Sequence, residues 1–245
     1  MSSTNSLFFR LSKSYPIIKN IFLYYNIYIR NFKFFFNTSQ FGEDKKILKL
    51  FKEKTNGTYL DLGCFHPLRQ NNTYLLYKLG WKGINIDLNP LTIELFNVAR
   101  PNDINICVAI SKKKGPKDLF FDNELSSLNT INKNHTLFLK RAFNQIKLKK
   151  RKIKTNTLNN ILKKYKINEI DFMNIDIEGN ELEVLKTINF NKINIKVICI
   201  EIVNYEFYSK KIKINKKKIF NILKRNKYNL RFKTFVNYIF VKNEI

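Results

Sequence analysis

The chain of 245 residues is long enough for one α/β domain with short appendages and a sizeable core. Its 44% hydrophobic and 14% aromatic residues exclude a disordered chain. The net charge of +26 fits an anionic partner such as nucleic acid, membrane surface or acidic polysaccharide, and it equally fits a base-composition bias, since Lys, Asn and Ile have AT-rich codons and the scarce Gly (7) and Pro (5) have GC-rich ones.

In chain order, IIKNIFLYYNIYI (17–29) is apolar, but Lys19 and Asn26 interrupt it. It is also shorter than the ~20 residues that span a bilayer. No small-residue cleavage site follows it. Arg10, Lys13, Lys19, Arg30 and Lys33 interleave with aromatics, so residues 1–36 read as a basic, aromatic, helical extension. It either lies on a membrane surface, with residues 7–36 giving weak peripheral contact at the inner membrane, or packs on the domain at 37–245, which is the simpler reading. Cys64, Cys107 and Cys199 form no CxxC pair and read as reduced structural thiols of a cytoplasmic protein.

EDKKILKLFKEK (43–54) predicts a helix with Ser39 or Gly42 near its start and Gly57 past its end. TYLDLGC (58–64) is a strand ending in glycine, and NNTYLLYKLG (71–80) a helix with Gly80 as C-cap. GINIDLN (83–89) is a second strand, with Pro90 opening a helix over 90–98. INICVAI (104–110) is a third strand, and DLFF (118–121) a short one. The run KLKKRKIK (147–154) reads as a Lys-protected edge strand or an anion-binding stretch, and TNTLNNILKKY (155–165) as a helix. IDFMNIDIEG (170–179) and KVICIEI (196–202) are strands around a helix at 180–188, and a further helix covers 215–225. YNLRF (228–232) and FVNYIFV (235–241) close the chain as an antiparallel pair. Strands alternating with helices and carrying continuous apolar runs predict a mostly parallel, doubly covered sheet.

Two strand ends carry the chemistry. LDLGC ends in an acid and a glycine, which lets a ligand approach the backbone at the sheet's carboxyl edge through Asp61 and Gly63. INID ends in Asp87, near the ~20-residue interval at which a Rossmann acid meets a ribose hydroxyl. There is no GxGxxG to cradle a pyrophosphate, so an adenosyl ligand without phosphates fits better.

SQFGED (39–44), YLDLGCFHP (59–67), NNTYLLYKLGWKGINID (71–87) and FMNIDIEGNELEVLK (172–186) follow one another in the order and spacing of FkbM-family methyltransferase motifs, and over about residues 38–203 the chain resembles that family. The resemblance implies a Rossmann-like class I fold, S-adenosylmethionine as methyl donor, and O-methylation of a hydroxyl on a sugar, polysaccharide or polyketide-type product. It departs at Cys64, where the family commonly has alanine, and mildly at Leu88.

On this reading Asp61, Gly63, Cys64, Asp87 and Leu88 bind the donor, with Asn72 and Thr73 opening a helix beside it and Ala109 and Asp176 completing the site. Asn71, Asn72 and Thr73 equally suit an N-cap. His66 is a candidate general base, or simply shapes its loop with Pro67. Asp176, Glu178 and Glu201 are candidate catalytic carboxylates: hydrogen-bonding the acceptor is the first reading, a general base or ligands for a hard cation such as Mg²⁺ are the alternatives, and no metal is assigned to them. Glu181 and Glu183 read as a solvated helix face, Ser126-Ser127-Leu128 as a loop touching the ligands or a cap, and His135 as a residue without a neighbouring partner. The expected acceptor is a glycan or another hydroxyl-bearing molecule. RNA methylation and a non-catalytic polyanion- or membrane-binding protein are the rivals. Against them stand the lack of an RNA-binding module and the intact LDLG, INID and IDIEG segments.

Overall fold

The computed structural model of the protein describes residues 11–12, 14–36, 38–52, 54–124, 126–143, 146–202 and 210–243. Helix α1 (Pro16–Tyr24) runs into a π-helical turn (Tyr25–Ile29) and a 3-10 turn (Phe32–Phe35). Then come α2 (Glu43–Phe51), β1 (Thr58–Leu62), α3 (Tyr74–Lys78), β2 (Lys82–Asp87), α4 (Pro90–Ala99) and β3 (Ile104–Cys107). The chain continues through β4 (Ala109–Ile110), β5 (Gly115–Phe121), α5 (Lys133–Ala142), β6 (Lys149–Asn156) and α6 (Leu158–Lys164). It ends with β7 (Glu169–Ile175), α7 (Glu181–Leu185), β8 (Asn194–Glu201), α8 (Lys210–Arg225), β9 (Tyr228–Lys233) and β10 (Asn237–Lys242).

The main sheet has seven strands in the order β3-β2-β1-β7-β8-β10-β9. Its first five are parallel, and β10 runs antiparallel to both β8 and β9. This is the Rossmann-like order with a terminal antiparallel hairpin. Its strand order reverses direction at β1, where β2 lies on one side and β7 on the other, and such a switch point opens a crevice at the carboxyl ends.

The continuous apolar runs have a direct cause, because both faces of the sheet are buried. Leu60 and Leu62, Met173 and Ile175, and Ile198 and Ile200 face α6, α7 and α8 through Leu158, Leu182 and Leu223. The alternate residues Tyr59, Phe172, Val197 and Cys199 face α2 and α3 through Ile47 and Leu76. That second face also carries a polar row, because the register aligns Asn85, Asp61, Asn174 and Cys199 across β2, β1, β7 and β8.

Several local expectations are corrected. INICVAI is not one strand: Ile104–Cys107 pairs with β2, whereas Ala109–Ile110 joins a second sheet, β4-β6-β5. Residues 155–156, read as the start of a helix, still belong to β6, and the helix begins after the cap Thr157, whose side chain accepts from the Asn160 N–H. The basic run is the middle strand of that sheet rather than its edge. β4 covers only Thr155 and Asn156, however, so the lysine-rich part keeps one open side. Asp118 pairs with both Lys150 and Lys152, at 3.0 and 2.7 Å, and Glu124 takes Arg151 in a two-pronged contact at 2.8 and 3.2 Å. Helix α5 had no sequence expectation, and Asn132 caps it by accepting from the N–H groups of Asn134 and His135. All three cysteines are free thiols, Cys64 and Cys199 buried and Cys107 exposed.

The N-terminal segment packs on the domain: Phe22, Leu23 and Ile27 are buried with Leu68, Leu91 and Leu95. Among the described residues no helix is long and apolar enough to cross a membrane.

Candidate active site

A cavity of about 420 Å³ opens at the carboxyl ends of β1, β2, β7 and β8. Its size is that of a small-ligand site. Asp61, Gly63, Cys64, Asn72, Asp87, Leu88 and Ala109 line one part, and Asp176, Glu178 and Glu201 another.

The β1–β7 junction explains Gly63. Past the strand ends the Asp176 N–H still donates to the Leu62 carbonyl at 3.0 Å, while the Gly63 N–H donates to Ile86 at 2.9 Å. Gly63 sits at φ +79, and a Cβ there would lie 1.7 Å from the Asp176 carbonyl oxygen. Only glycine permits this crossing.

Asp61 is fully buried, and burial raises its pKa against the hydrogen bonds that hold its charge. Asn174 donates to one oxygen at 2.9 Å, and Thr73 and Asn71 to the other at 2.9 and 3.3 Å. Behind them Arg100, fully buried, donates at 2.8 Å to both Thr73 Oγ1 and Asn71 Oδ1 and also to the Pro67 carbonyl. Asp61 therefore anchors the turn that carries Asn72, whose amide donates to Asn174 Oδ1 at 3.1 Å. Thr73 is corrected by this geometry: its hydroxyl is spent inside the network, and it does not line the cavity.

Asp87 accepts from the Phe65 N–H at 3.0 Å and the Asn89 N–H at 2.8 Å, one on each oxygen. Each oxygen keeps a second acceptor position for a ribose hydroxyl. Burial pushes its pKa up to about 6, against the backbone N–H groups of Asn89, Phe65 and Leu88. Cys64 is buried against the cavity, and burial raises its thiol well above the ordinary value, so it is a packed neutral group rather than a nucleophile.

His66 is the clear correction among the candidate catalytic residues. It is buried away from the main cavity, and its Nδ1 accepts from the N–H groups of Leu68 and Arg69 at 3.1 and 3.0 Å. Burial, then the charge of Arg69, takes its pKa down to about 3. A ring nitrogen already occupied by two backbone donors shapes the loop and takes no acceptor proton.

The carboxylates do converge. Asp176 and Glu201 hydrogen-bond to each other; burial, then the charge of Glu178 on Asp176 and of Asp176 on Glu201, raises both well above the usual carboxylate range. Two facing carboxyl groups bond in this way by sharing a proton. Burial pushes Glu178 up to about 8. Glu178 has left-handed backbone, φ 53, held by Thr130 Oγ1, which donates to its carbonyl at 2.7 Å. Its Oε2 lies 3.1 Å from Nε2 of His135. His135, expected to lack a partner, thus faces the cavity beside a candidate catalytic acid; α5 brings them together from distant parts of the chain. Glu181 is likewise buried and not solvated: its Oε1 accepts from the N–H groups of Ile177 and Gly179 at 3.1 and 2.9 Å and closes the turn that presents Glu178. Glu183 is half-exposed and pairs with Lys186 at 2.6 Å. Ser126, Ser127 and Leu128 line the cavity. Asn129 Oδ1 and Asn180 Nδ2 reach it too and are buried without a hydrogen-bond partner among the described residues, so the cavity holds an unused acceptor and an unused donor. Sequence reading missed His135, Arg100, Asn174, Asn129 and Asn180.

A switch-point crevice with a ribose-type acid and no phosphate cradle defines a nucleoside-binding enzyme of the Rossmann-like class. The chain belongs to the FkbM methyltransferase family, whose domain (Methyltransferase FkbM domain) matches residues 57–230. It is an S-adenosylmethionine-dependent methyltransferase. No curated protein matches it. Among solved structures it is similar to a putative rRNA-methylase from Clostridium thermocellum, at 11% identity over 82% of this chain and 96% of that one with a TM-score of 0.43. It is also similar to a SAM-dependent methyltransferase from Aquifex aeolicus, at 16% identity over 80% of this chain and 86% of that one with a TM-score of 0.35. The residues present fit the donor: Asp87 has free acceptor positions, Gly63 keeps the backbone open to close approach, and Leu88 and Ala109 offer apolar walls for a purine.

Proposed function

We propose that the protein methylates a hydroxyl of a sugar, polysaccharide or lipid-linked glycan, with Glu178 as the general base. The observation that carries this reading is the half-buried cluster of Asp176, Glu178 and Glu201 on the cavity wall beside His135. Carboxyl groups accept hydrogen bonds from sugar hydroxyls, and the unused amide atoms of Asn129 and Asn180 add one acceptor and one donor suited to a polyol.

The donor, when bound, supplies a methyl carbon on a sulfonium sulfur that departs as a neutral thioether. Asp87 and the Gly63 turn hold the nucleoside part, while Asp176, Glu201 and the two asparagines orient the acceptor. As the acceptor oxygen bonds to the methyl carbon, its proton passes to the Glu178 carboxylate, beside which His135, whose pKa burial lowers, stands with Nε2 at 3.1 Å.

The charge of +26 favours a second reading, a nucleic-acid acceptor. Against it, no Lys or Arg among the described residues lines the cavity, so nothing at the point of transfer offers a cation to a phosphate backbone. Labelled methyl transfer from the donor to glycan extracts and, separately, to RNA and DNA distinguishes the two. Preferential labelling of glycan supports the proposal, and preferential labelling of nucleic acid replaces it.

A further inference from the structure

Two independent observations meet where the N-terminal segment joins the domain. The first is apolar. Phe22, Leu23 and Ile27 bury one side of the segment, yet Ile17, Ile21, Tyr24, Tyr28 and Phe32 recur every three or four residues and are exposed. Within α1 that spacing puts Ile17, Ile21 and Tyr24 on one face, with Ile17 at 75% exposure, and ring contacts carry the stripe on past the helix, Tyr24–Tyr28 at 5.6 Å, Tyr28–Phe35 at 6.1 Å and Phe32–Phe36 at 5.8 Å between centroids. A helical segment apolar on both sides while only one side is packed leaves a contiguous greasy surface that water does not favour.

The second is a cavity of about 180 Å³ beneath the same segment, walled by Arg30 and Arg69 with the amides of Asn26, Asn31 and Asn123. No acidic residue lines it. Arg30 donates to Asn26 Oδ1 at 3.2 Å, and Arg69 stacks on the Phe65 ring, 4.8 Å from its centroid, with its Nε buried and without an acceptor. Neither guanidinium has a carboxylate partner among the described residues. Arg30 is exposed and Arg69 half-buried, and burial, then the charge of Arg30, lowers the pKa of Arg69, so the two cations stand close enough to repel each other. Paired guanidiniums with polar amides and no acid are the chemistry that receives a phosphate oxyanion.

We propose that residues 16–36 form a docking surface for an anionic bilayer, in which the aromatic stripe enters the headgroup region and the Arg30–Arg69 cavity takes a lipid headgroup phosphate. The segment lies in the plane of the interface, in keeping with the absence of a membrane-crossing helix among the described residues. The net charge of +26 complements such a surface and opposes a second copy of this chain at the same face. The proposal is independent of the acceptor.

The test is co-sedimentation of the full chain with vesicles of phosphatidylcholine alone and of phosphatidylcholine mixed with phosphatidylglycerol. Wild type is expected to bind the anionic vesicles at least ~10-fold more tightly than the neutral ones. Arg30→Gln with Arg69→Gln should erase that preference, and Phe32→Ser with Phe36→Ser should weaken binding to both vesicle types. All variants should keep wild-type donor affinity and thermal midpoint. Should the arginine pair fail that control, Arg30→Gln alone, at an exposed position, gives the charge comparison. The proposal is overturned if wild type stays in the supernatant with anionic vesicles, or if both variant pairs bind as wild type does. A solution dimer that is lost in Phe32→Ser/Phe36→Ser, with no vesicle binding, would assign the stripe to a second copy instead.

Discussion

The two ends of the crevice use the same residue types in opposite ways. At β1 and β2 each acid is surrounded by donors: Asp61 by Asn71, Thr73 and Asn174, and Asp87 by the N–H groups of Phe65 and Asn89. At β7 and β8 the acids face one another, Asp176 bonding to Glu201 with Glu178 and Glu181 close by. Burial raises the pKa at both ends, but donors oppose the rise at one and like charges add to it at the other. An acid among donors is a fixed binding group, while an acid among acids carries and exchanges a proton. On the proposed mechanism the contrast divides the cavity into a holding end and a reacting end.

That division is most sharply broken at Glu178. Glu178→Gln is expected to lower methyl transfer by ~10²–10⁴-fold, as for loss of a general base, while leaving donor affinity unchanged in titration calorimetry. A base must be ionised to accept a proton. With Glu178 pushed up to about 8, wild-type kcat/KM should rise as pH increases through that value, and the rise should vanish in the variant. Unchanged transfer would move the base elsewhere in the cluster.

The holding end is broken from behind. Arg100 stacks on Phe96 and anchors Thr73 and Asn71, and removing its charge leaves Asp61 without its buried cation. Arg100→Met should cost about 3–5 kcal/mol of stability in urea unfolding. A smaller loss would mean that Asp61 is held by its neutral donors alone.

The holding end was also the more legible in the sequence. Gly63 and Asp87 stand at the ends of β-rich runs, and what they do follows from that local position. The reacting end was half legible: IDIEG marked Asp176 and Glu178, but the His135 contact depends on α5 folding over the turn, which no local pattern records. His66 misled because a histidine just past a strand end looks the same whether its ring faces a ligand or, as here, accepts two N–H groups of its own loop. Glu181 misled similarly, since a helix-start acid reads as solvated until its turn is seen folded beneath it. The split of INICVAI was invisible because its apolar pattern continues through Val108 while the chain changes sheets.

A smaller effect separates charge from shape at Asp87. Asp87→Ala should weaken S-adenosylmethionine binding by about tenfold, or 1.4 kcal/mol, by removing the ribose acceptor. Wild type should reproduce much of that loss by titration alone. Its folded pKa is raised to about 6, so the group is ionised above that value and accepts fully from the ribose hydroxyls. Below it the proton occupies an acceptor position. Affinity is therefore complete near pH 7 and falls as pH drops through 6, by up to about tenfold at pH 5 if only the ionised form binds. Asp87→Asn keeps the shape and cannot titrate, so its affinity should be low and flat over the same range. Calorimetry at pH 7, 6 and 5 on both proteins reads the difference directly. Parallel curves for the two would show that Asp87 positions the loop through Phe65 and Asn89 without touching the ribose, and the holding end would lose its one direct carboxylate contact with the donor.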